Sequence, residues 1–207
     1  MLSPASLVDL LRSQRLLPVL RSADADQAVA RVAALAAAGY GVIELTTSVP
    51  DWTRALRGSI ASTLSSRPLI GLGTVTTAAQ AEAALDAGAA FLVSPYPAPA
   101  VRAVAESRDA VLIEGGYTPG EILAAADRGP AKVFPAHVGG PAYVRSLLGI
   151  APAARLIPTG GISPADVQAY LAAGAVAVGI GSGLPADRES LAAALRTAQG
   201  AVQVAGR

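Results

Sequence analysis

Cysteine is absent from the 207 residues, which excludes disulfides, thiolate metal sites and thiol nucleophiles together and leaves the redox compartment open. Charge imbalance is missing too. The 16 basic and 15 acidic residues are spread along the chain to a formal +1, so no footprint for nucleic acid or an anionic membrane is visible and a small soluble partner is expected. The opening stretch from Met1 to Gln14 has an N-cap-like Ser3-Pro4 and a helical pattern, but no basic run followed by an apolar core as in a secretion signal; cytoplasmic residence is the default expectation. The longest uncharged stretch, Val167 to Ala186, is interrupted by Gln168, four glycines and Pro185, and reads as a helix end, a buried strand and a loop rather than a membrane span.

What is present is apolar content, 52% of the chain, enough for one substantial core near the lower size limit of an eight-stranded α/β barrel. A single domain over 1–207 is expected. Short β-branched runs alternate with longer Ala/Leu-rich segments of helical period. After a first helix at Pro4–Gln14, strands are predicted near 16–20, 41–45, 69–72, 91–94, 110–114, 131–134, 155–158 and 175–180. Helices are predicted near 25–38, 51–66, 77–87, 98–106, 119–128, 141–148, 164–173 and 187–204. Thr118-Pro119-Gly120-Glu121 has the form of a capping box with proline at the first helical position, and Ser163-Pro164-Ala165-Asp166 is similar. Gly39, Gly88, Gly129 and Gly174 fall where left-handed C-caps are wanted. The pattern predicts an α/β fold, a (β/α)8 TIM barrel with an extra N-terminal helix; an open doubly wound sheet is the alternative.

Of the 16 basic residues only one, Lys132, is lysine. A chain that uses arginine almost everywhere should keep lysine where a guanidinium cannot serve, and a Schiff base is such a place, because an amine can deprotonate and condense with a carbonyl. Lys132 also lies in an apolar run, Ala131-Lys132-Val133-Phe134-Pro135, where burial would disfavour the charged form that cannot attack. Composition alone leaves two other readings open: a residual surface lysine, or a cation that holds phosphate.

In a barrel, chemistry gathers where strands end. Those positions read Arg21, Glu44, Gly73-Thr74, Ser94-Pro95, Gly115-Gly116, Lys132, Thr159-Gly160-Gly161 and Gly181-Ser182. Gly160-Gly161 and Gly181-Ser182 follow the seventh and eighth strands, where many barrels bind phosphate through backbone N–H groups; tight turns alone would also explain the glycines. Glu44 is either a proton shuttle beside Lys132 or its structural ion-pair partner. Arg21 is either a clamp for an anionic group or a surface residue.

Seven segments resemble those of the bacterial 2-keto-3-deoxy-6-phosphogluconate (KDPG) aldolases and their relatives, the 4-hydroxy-2-oxoglutarate (KHG) and 2-keto-3-deoxy-6-phosphogalactonate aldolases. They are Leu17-Pro18-Val19-Leu20-Arg21, Ile43-Glu44-Leu45-Thr46, Gly71-Leu72-Gly73-Thr74-Val75, Val93-Ser94-Pro95, Lys132-Val133-Phe134-Pro135-Ala136, Pro158-Thr159-Gly160-Gly161-Ile162 and Gly179-Ile180-Gly181-Ser182. Each is weak singly, but their order at successive strand ends is specific. The resemblance implies a class I aldolase that reversibly cleaves a 2-keto-3-deoxy-6-phospho sugar acid to pyruvate and glyceraldehyde 3-phosphate. It implies an imine at Lys132 and proton transfer by Glu44 through a water. Thr74, Pro95 and Thr159 would line the pyruvate pocket, and Gly160, Gly161, Gly181 and Ser182 would receive the distal phosphate. No metal or organic cofactor is needed, since the protonated imine is the electron sink. Homotrimers are common in the family.

Three departures bear on the substrate. Ser48 stands where some members carry an arginine after the glutamate, which shifts anion binding toward Arg21. Glu114, in Ile113-Glu114-Gly115-Gly116, replaces a Pro-Gly pair and is expected to bring a carboxylate near the mouth. His137, the only histidine, sits where relatives often carry an acidic or small residue, and either touches substrate or occupies a solvated loop. Two other functional classes stay open: a non-covalent phosphosugar isomerase or epimerase, and a non-enzymatic barrel subunit.

Overall fold

The computed structural model describes residues 2–200. Helix α1 (Pro4–Gln14) starts on Ser3, whose hydroxyl accepts from the Ser6 N–H while the Ser6 side chain returns the contact to Ser3. Seven strand–helix rounds then follow: β1 (Leu16–Leu20), α2 (Ala25–Ala37), β2 (Val42–Thr46), α3 (Trp52–Ser62), β3 (Leu69–Gly73), α4 (Ala78–Asp86), β4 (Leu92–Val93), α5 (Pro99–Ser107), β5 (Leu112–Gly116), α6 (Pro119–Ala126), β6 (Ala131–Val133), α7 (Ala136–Ile150), β7 (Leu156–Pro158) and α8 (Val167–Ala172). The eighth round is β8 (Val178–Ile180) and α9 (Arg188–Gly200). All strand pairs are parallel, in the order β7-β6-β5-β4-β3-β2-β1-β8. A parallel bridge between Thr159 and Gly179 closes the ring, so the fold is the predicted (β/α)8 barrel.

The strands are buried on both faces, and their side chains divide by the period of two. Leu16, Leu20, Ile43, Leu45, Leu72 and Leu92 join the layer beneath the helices. Leu17, Val19, Val42, Phe91, Val93 and Ile113 fill the lumen, where they meet Leu7 and Leu11 of α1. Helix α1 thus closes the bottom of the barrel. It is fastened there by buried Gln14, whose amide nitrogen donates to the Leu16 and Val42 carbonyls and whose oxygen accepts from the Gly41 and Val42 N–H groups. The lumen below is packed, which leaves the C-terminal mouth as the end available for chemistry.

Several local expectations shift. Helix α7 begins at Ala136 rather than Pro141, because a non-helical Gly140 (φ 64°, ψ −173°) joins a first turn to the segment that Pro141 opens. The Thr118–Glu121 capping box forms, but the Ser163 hydroxyl donates to Asp166 Oδ2 instead of accepting from the backbone, and Pro164–Asp166 is a 3-10 turn. Gly39, Gly88 and Gly174 adopt positive φ; Gly129 does not, and α6 is capped on Asp127. The predicted end of the last helix, 201–204, lies outside the described residues. Among those described, no helix is long and apolar enough to cross a membrane.

Candidate active site

Strands β2 and β6 stand on opposite sides of the ring, and the inward positions of the two carry Glu44 and Lys132. They meet across the lumen, Lys132 Nζ donating to Glu44 Oε1 at 3.3 Å. Both are withdrawn from solvent, Lys132 to 5% and Glu44 to 0% exposure, with Leu and Val side chains below. A charged pair in such a place costs several kcal/mol of desolvation, about what its mutual attraction returns, so apolar packing would serve stability as well. The second carboxylate oxygen, Oε2, is buried without a hydrogen-bond partner among the described residues. That unused acceptor makes the pair poor as a purely structural device and suited to receiving a proton. Nζ also lies 5.6 Å from the centroid of the Phe134 ring.

Room for the carboxylate comes from Gly73. A Cβ there would stand 1.9 Å from Glu44 Oε1, so any other residue at that position of β3 would displace the carboxylate. Gly115, next to Lys132 in the β5–β6 register, is similarly constrained, since its Cβ would fall 2.4 Å from the Pro95 carbonyl. Two glycines thus keep the upper lumen open.

Above Lys132 lies a cavity of about 600 Å³, large enough for a small phosphorylated acid. Its wall brings together the expected Arg21, Thr74, Pro95, Thr159, Gly160, Gly161, Gly181 and Ser182 around Lys132. Glu44 does not line it but adjoins its wall through the bond from Lys132 Nζ. Thr74 holds a left-handed φ of 59°, uncommon for a β-branched residue, with its carbonyl bonded by the Thr47 hydroxyl at 2.8 Å. Thr159 is buried, its hydroxyl on the Ile157 carbonyl. Gly160 and Gly161 both take positive φ (94° and 69°), which turns the chain after β7 into a loop that borders the cavity. The loop after β8, which carries Gly181 and Ser182, is tied to α2 by Arg31, whose guanidinium donates to the Leu184, Pro185 and Ala186 carbonyls. Arg21 is exposed at the rim and forms no ion pair among the described residues, so its charge faces the cavity uncompensated.

Two departures resolve differently from expectation. Glu114 occupies an outward position of β5 and does not reach the mouth. Its carboxylate accepts from the Ala98 N–H at 2.9 Å and pairs with Arg102 at 2.5 Å, capping α5, which lacks a side-chain cap of its own. The carboxylate expected near the mouth is therefore neutralised behind the wall. Ser48 is exposed, bonded to the Thr46 hydroxyl at 2.7 Å, and does not line the cavity, which leaves Arg21 as the arginine there. His137 lies on the far side of the Gly160-Gly161 turn, its Nδ1 3.2 Å from the Gly160 carbonyl.

Sequence reasoning missed Phe134 and Tyr96 as wall residues. Tyr96 directly follows Pro95 at a strand end and was within reach of the same rule; Phe134 was hidden in an apolar run that reads as core. Among the described residues no group of three or more His, Asp or Glu could hold a metal ion.

Residues 7–193 match the family model described as KDPG and KHG aldolase. The chain is 35% identical over 172 residues to a probable 2-dehydro-3-deoxy-6-phosphogalactonate aldolase of Rhizobium meliloti (strain 1021), covering 82% of this chain and 81% of that protein. It is 34% identical over 183 residues to a KHG/KDPG aldolase of Escherichia coli (strain K12), covering 86% and 84%. The structure of KDPG aldolase from Legionella pneumophila, with pyruvate captured at low pH as a covalent carbinolamine intermediate, superposes with a TM-score of 0.80 at 25% identity, over 97% of this chain and 98% of that one.

Proposed function

The chain belongs to the KDPG and KHG aldolase family, and on that premise we propose that it is a class I aldolase for a 2-keto-3-deoxy-6-phospho sugar acid, cleaving it to pyruvate and glyceraldehyde 3-phosphate. The observation that carries the reading is the buried Lys132–Glu44 pair at 3.3 Å beneath an open, anion-compatible cavity. Proton transfer from Nζ to Glu44 leaves a neutral amine, which attacks the C2 carbonyl to give a carbinolamine; loss of water gives the protonated imine. Removal of the C4 hydroxyl proton then breaks the C3–C4 bond. The bonding pair moves into the imine, the aldehyde leaves, and an enamine remains. Protonation at C3 and hydrolysis release pyruvate and restore Lys132. Glu44 is the proton carrier, through a water, and its unpartnered Oε2 supplies the acceptor.

Thr74, Pro95 and Thr159 enclose the pyruvate half, and Gly160, Gly161, Gly181 and Ser182 offer backbone N–H groups and a hydroxyl to the distal phosphate. Arg21 adds the positive charge that draws a substrate bearing both a carboxylate and a phosphate to the rim. Pyruvate release measured across phosphorylated and unphosphorylated 2-keto-4-hydroxy acids tests this division. A phosphate should raise kcat/KM by at least about tenfold, roughly 1.4 kcal/mol of transition-state binding. A smaller factor, or no pyruvate from any of them, contradicts the proposal. In keeping with the family, the enzyme is proposed to be a cytoplasmic homotrimer; sedimentation of a species at one chain mass would rule the trimer out.

A further inference from the structure

His137, the single histidine, lies against the Gly160-Gly161 turn and outside the cavity wall that the two glycines help to form. The Gly160 carbonyl accepts twice from this residue, from the His137 backbone N–H at 3.2 Å and from Nδ1 at 3.2 Å. A carbonyl oxygen only accepts, so the contact places a proton on Nδ1. The imidazole also packs over the α-carbon of Gly161, where a Cβ would stand 2.3 Å from Nδ1. The Gly160-Gly161 peptide is trans, so the Gly160 C=O and the Gly161 N–H point in opposite directions from one rigid plane. Anchoring the oxygen therefore anchors the hydrogen. Both glycines take positive φ, so the turn has wide backbone freedom of its own, and the imidazole adds a second bond to the one the His137 backbone N–H gives the same carbonyl.

We propose that His137 is a positioning residue for the distal anion subsite: it locks the Gly160-Gly161 peptide with the Gly161 N–H turned toward the cavity, and polarises that peptide through its carbonyl. The proposal rests on the phosphate reading given above.

The test compares the unsubstituted enzyme with His137→Ala and His137→Asn on a 2-keto-3-deoxy-6-phospho acid and on the same acid without phosphate. Asparagine places Nδ2–H at nearly the position of Nδ1–H but carries no charge. Loss of the side-chain bond in His137→Ala, the backbone bond remaining, should lower kcat/KM about tenfold for the phosphorylated acid, chiefly through KM, and leave the unphosphorylated acid within about twofold. His137→Asn should recover to within about threefold of the unsubstituted enzyme. Equal losses on both acids would mean a general structural role, and failure of asparagine to rescue would mean that the imidazole acts through its charge; either overturns the proposal. An unsubstituted enzyme without preference for phosphate would overturn the subsite itself, a separate outcome visible before any variant is made.

Discussion

Gly73 carries no side chain, and the space this leaves is occupied by the Glu44 carboxylate. Substituting alanine puts a Cβ 1.9 Å from Oε1, closer than any real contact, so the buried carboxylate has to leave its place. Gly73→Ala is therefore expected to push Glu44 off Lys132, lowering kcat by at least about tenfold, a barrier increase of roughly 1.4 kcal/mol. Steady-state assay beside a thermal melt checks this: a variant melting like the unsubstituted protein with full kcat would contradict the packing argument. At this scale the sequence disclosed the chemistry unevenly. Lys132 stood out because it is the only amine side chain among arginines, and Glu44 because a carboxylate inside Val-Ile-Glu-Leu has no cheap explanation. Gly73 was legible as a strand-end glycine, but its use as clearance for Glu44 depends on which residues face each other across β2 and β3, and spacing along one strand does not contain that. Glu114 misled because its parity within β5 decides between mouth and wall: Ile113 points into the lumen, so its neighbour Glu114 points outward, and closeness to the strand end does not contain that.

Elements were legible to the extent that their ends carry local chemistry. Ser3, Thr118 and the helix-ending Gly39, Gly88 and Gly174 act as read, whereas α5 takes its cap from Glu114 on a neighbouring strand, a contact between residues 16 positions apart that no local motif encodes. The joint between α2 and α9 is similar. Tyr40, just after α2, is buried to 2% exposure and donates its hydroxyl to the Leu191 carbonyl at 3.2 Å. Desolvation by burial raises its pKa from 10.0 to about 12, the nearby Arg31 charge opposing this only in part. A pKa raised on folding means that Tyr40 contributes its full stability below pH 10, and that this contribution is lost as pH rises to about 12. The loss is on the order of 2 kcal/mol for the closed joint. Tyr40→Phe should cost about 1 kcal/mol at neutral pH through the missing hydrogen bond, and should flatten the alkaline decline. Denaturant melts between neutral pH and pH 12 measure both effects, and an unchanged alkaline slope would refute the assignment.

For the whole molecule, the barrel divides labour along its axis. The lower lumen is sealed by α1 and filled with Leu, Val and Phe, and the upper lumen is kept open by glycine and carries the polar residues, with Lys132 and Glu44 meeting in it. The closed ring followed from eight βα rounds in about 200 residues, because each strand is too short to be stable except between two neighbours; the last pairing, Thr159 with Gly179, is a single bridge that could not be read from either segment alone. Everything proposed for the function rests on Lys132 Nζ forming a carbon–nitrogen bond. Treatment with borohydride in the presence of pyruvate, followed by peptide mass mapping, tests that bond directly. Hydride addition to the imine should leave a stable reduced pyruvyl group on Lys132 and abolish activity, and Lys132→Arg should be neither labelled nor active, with kcat lower by at least about a thousandfold, roughly 4 kcal/mol. A protein that stays unmodified and active after this treatment, or an Lys132→Arg variant that still cleaves the substrate, would contradict the account.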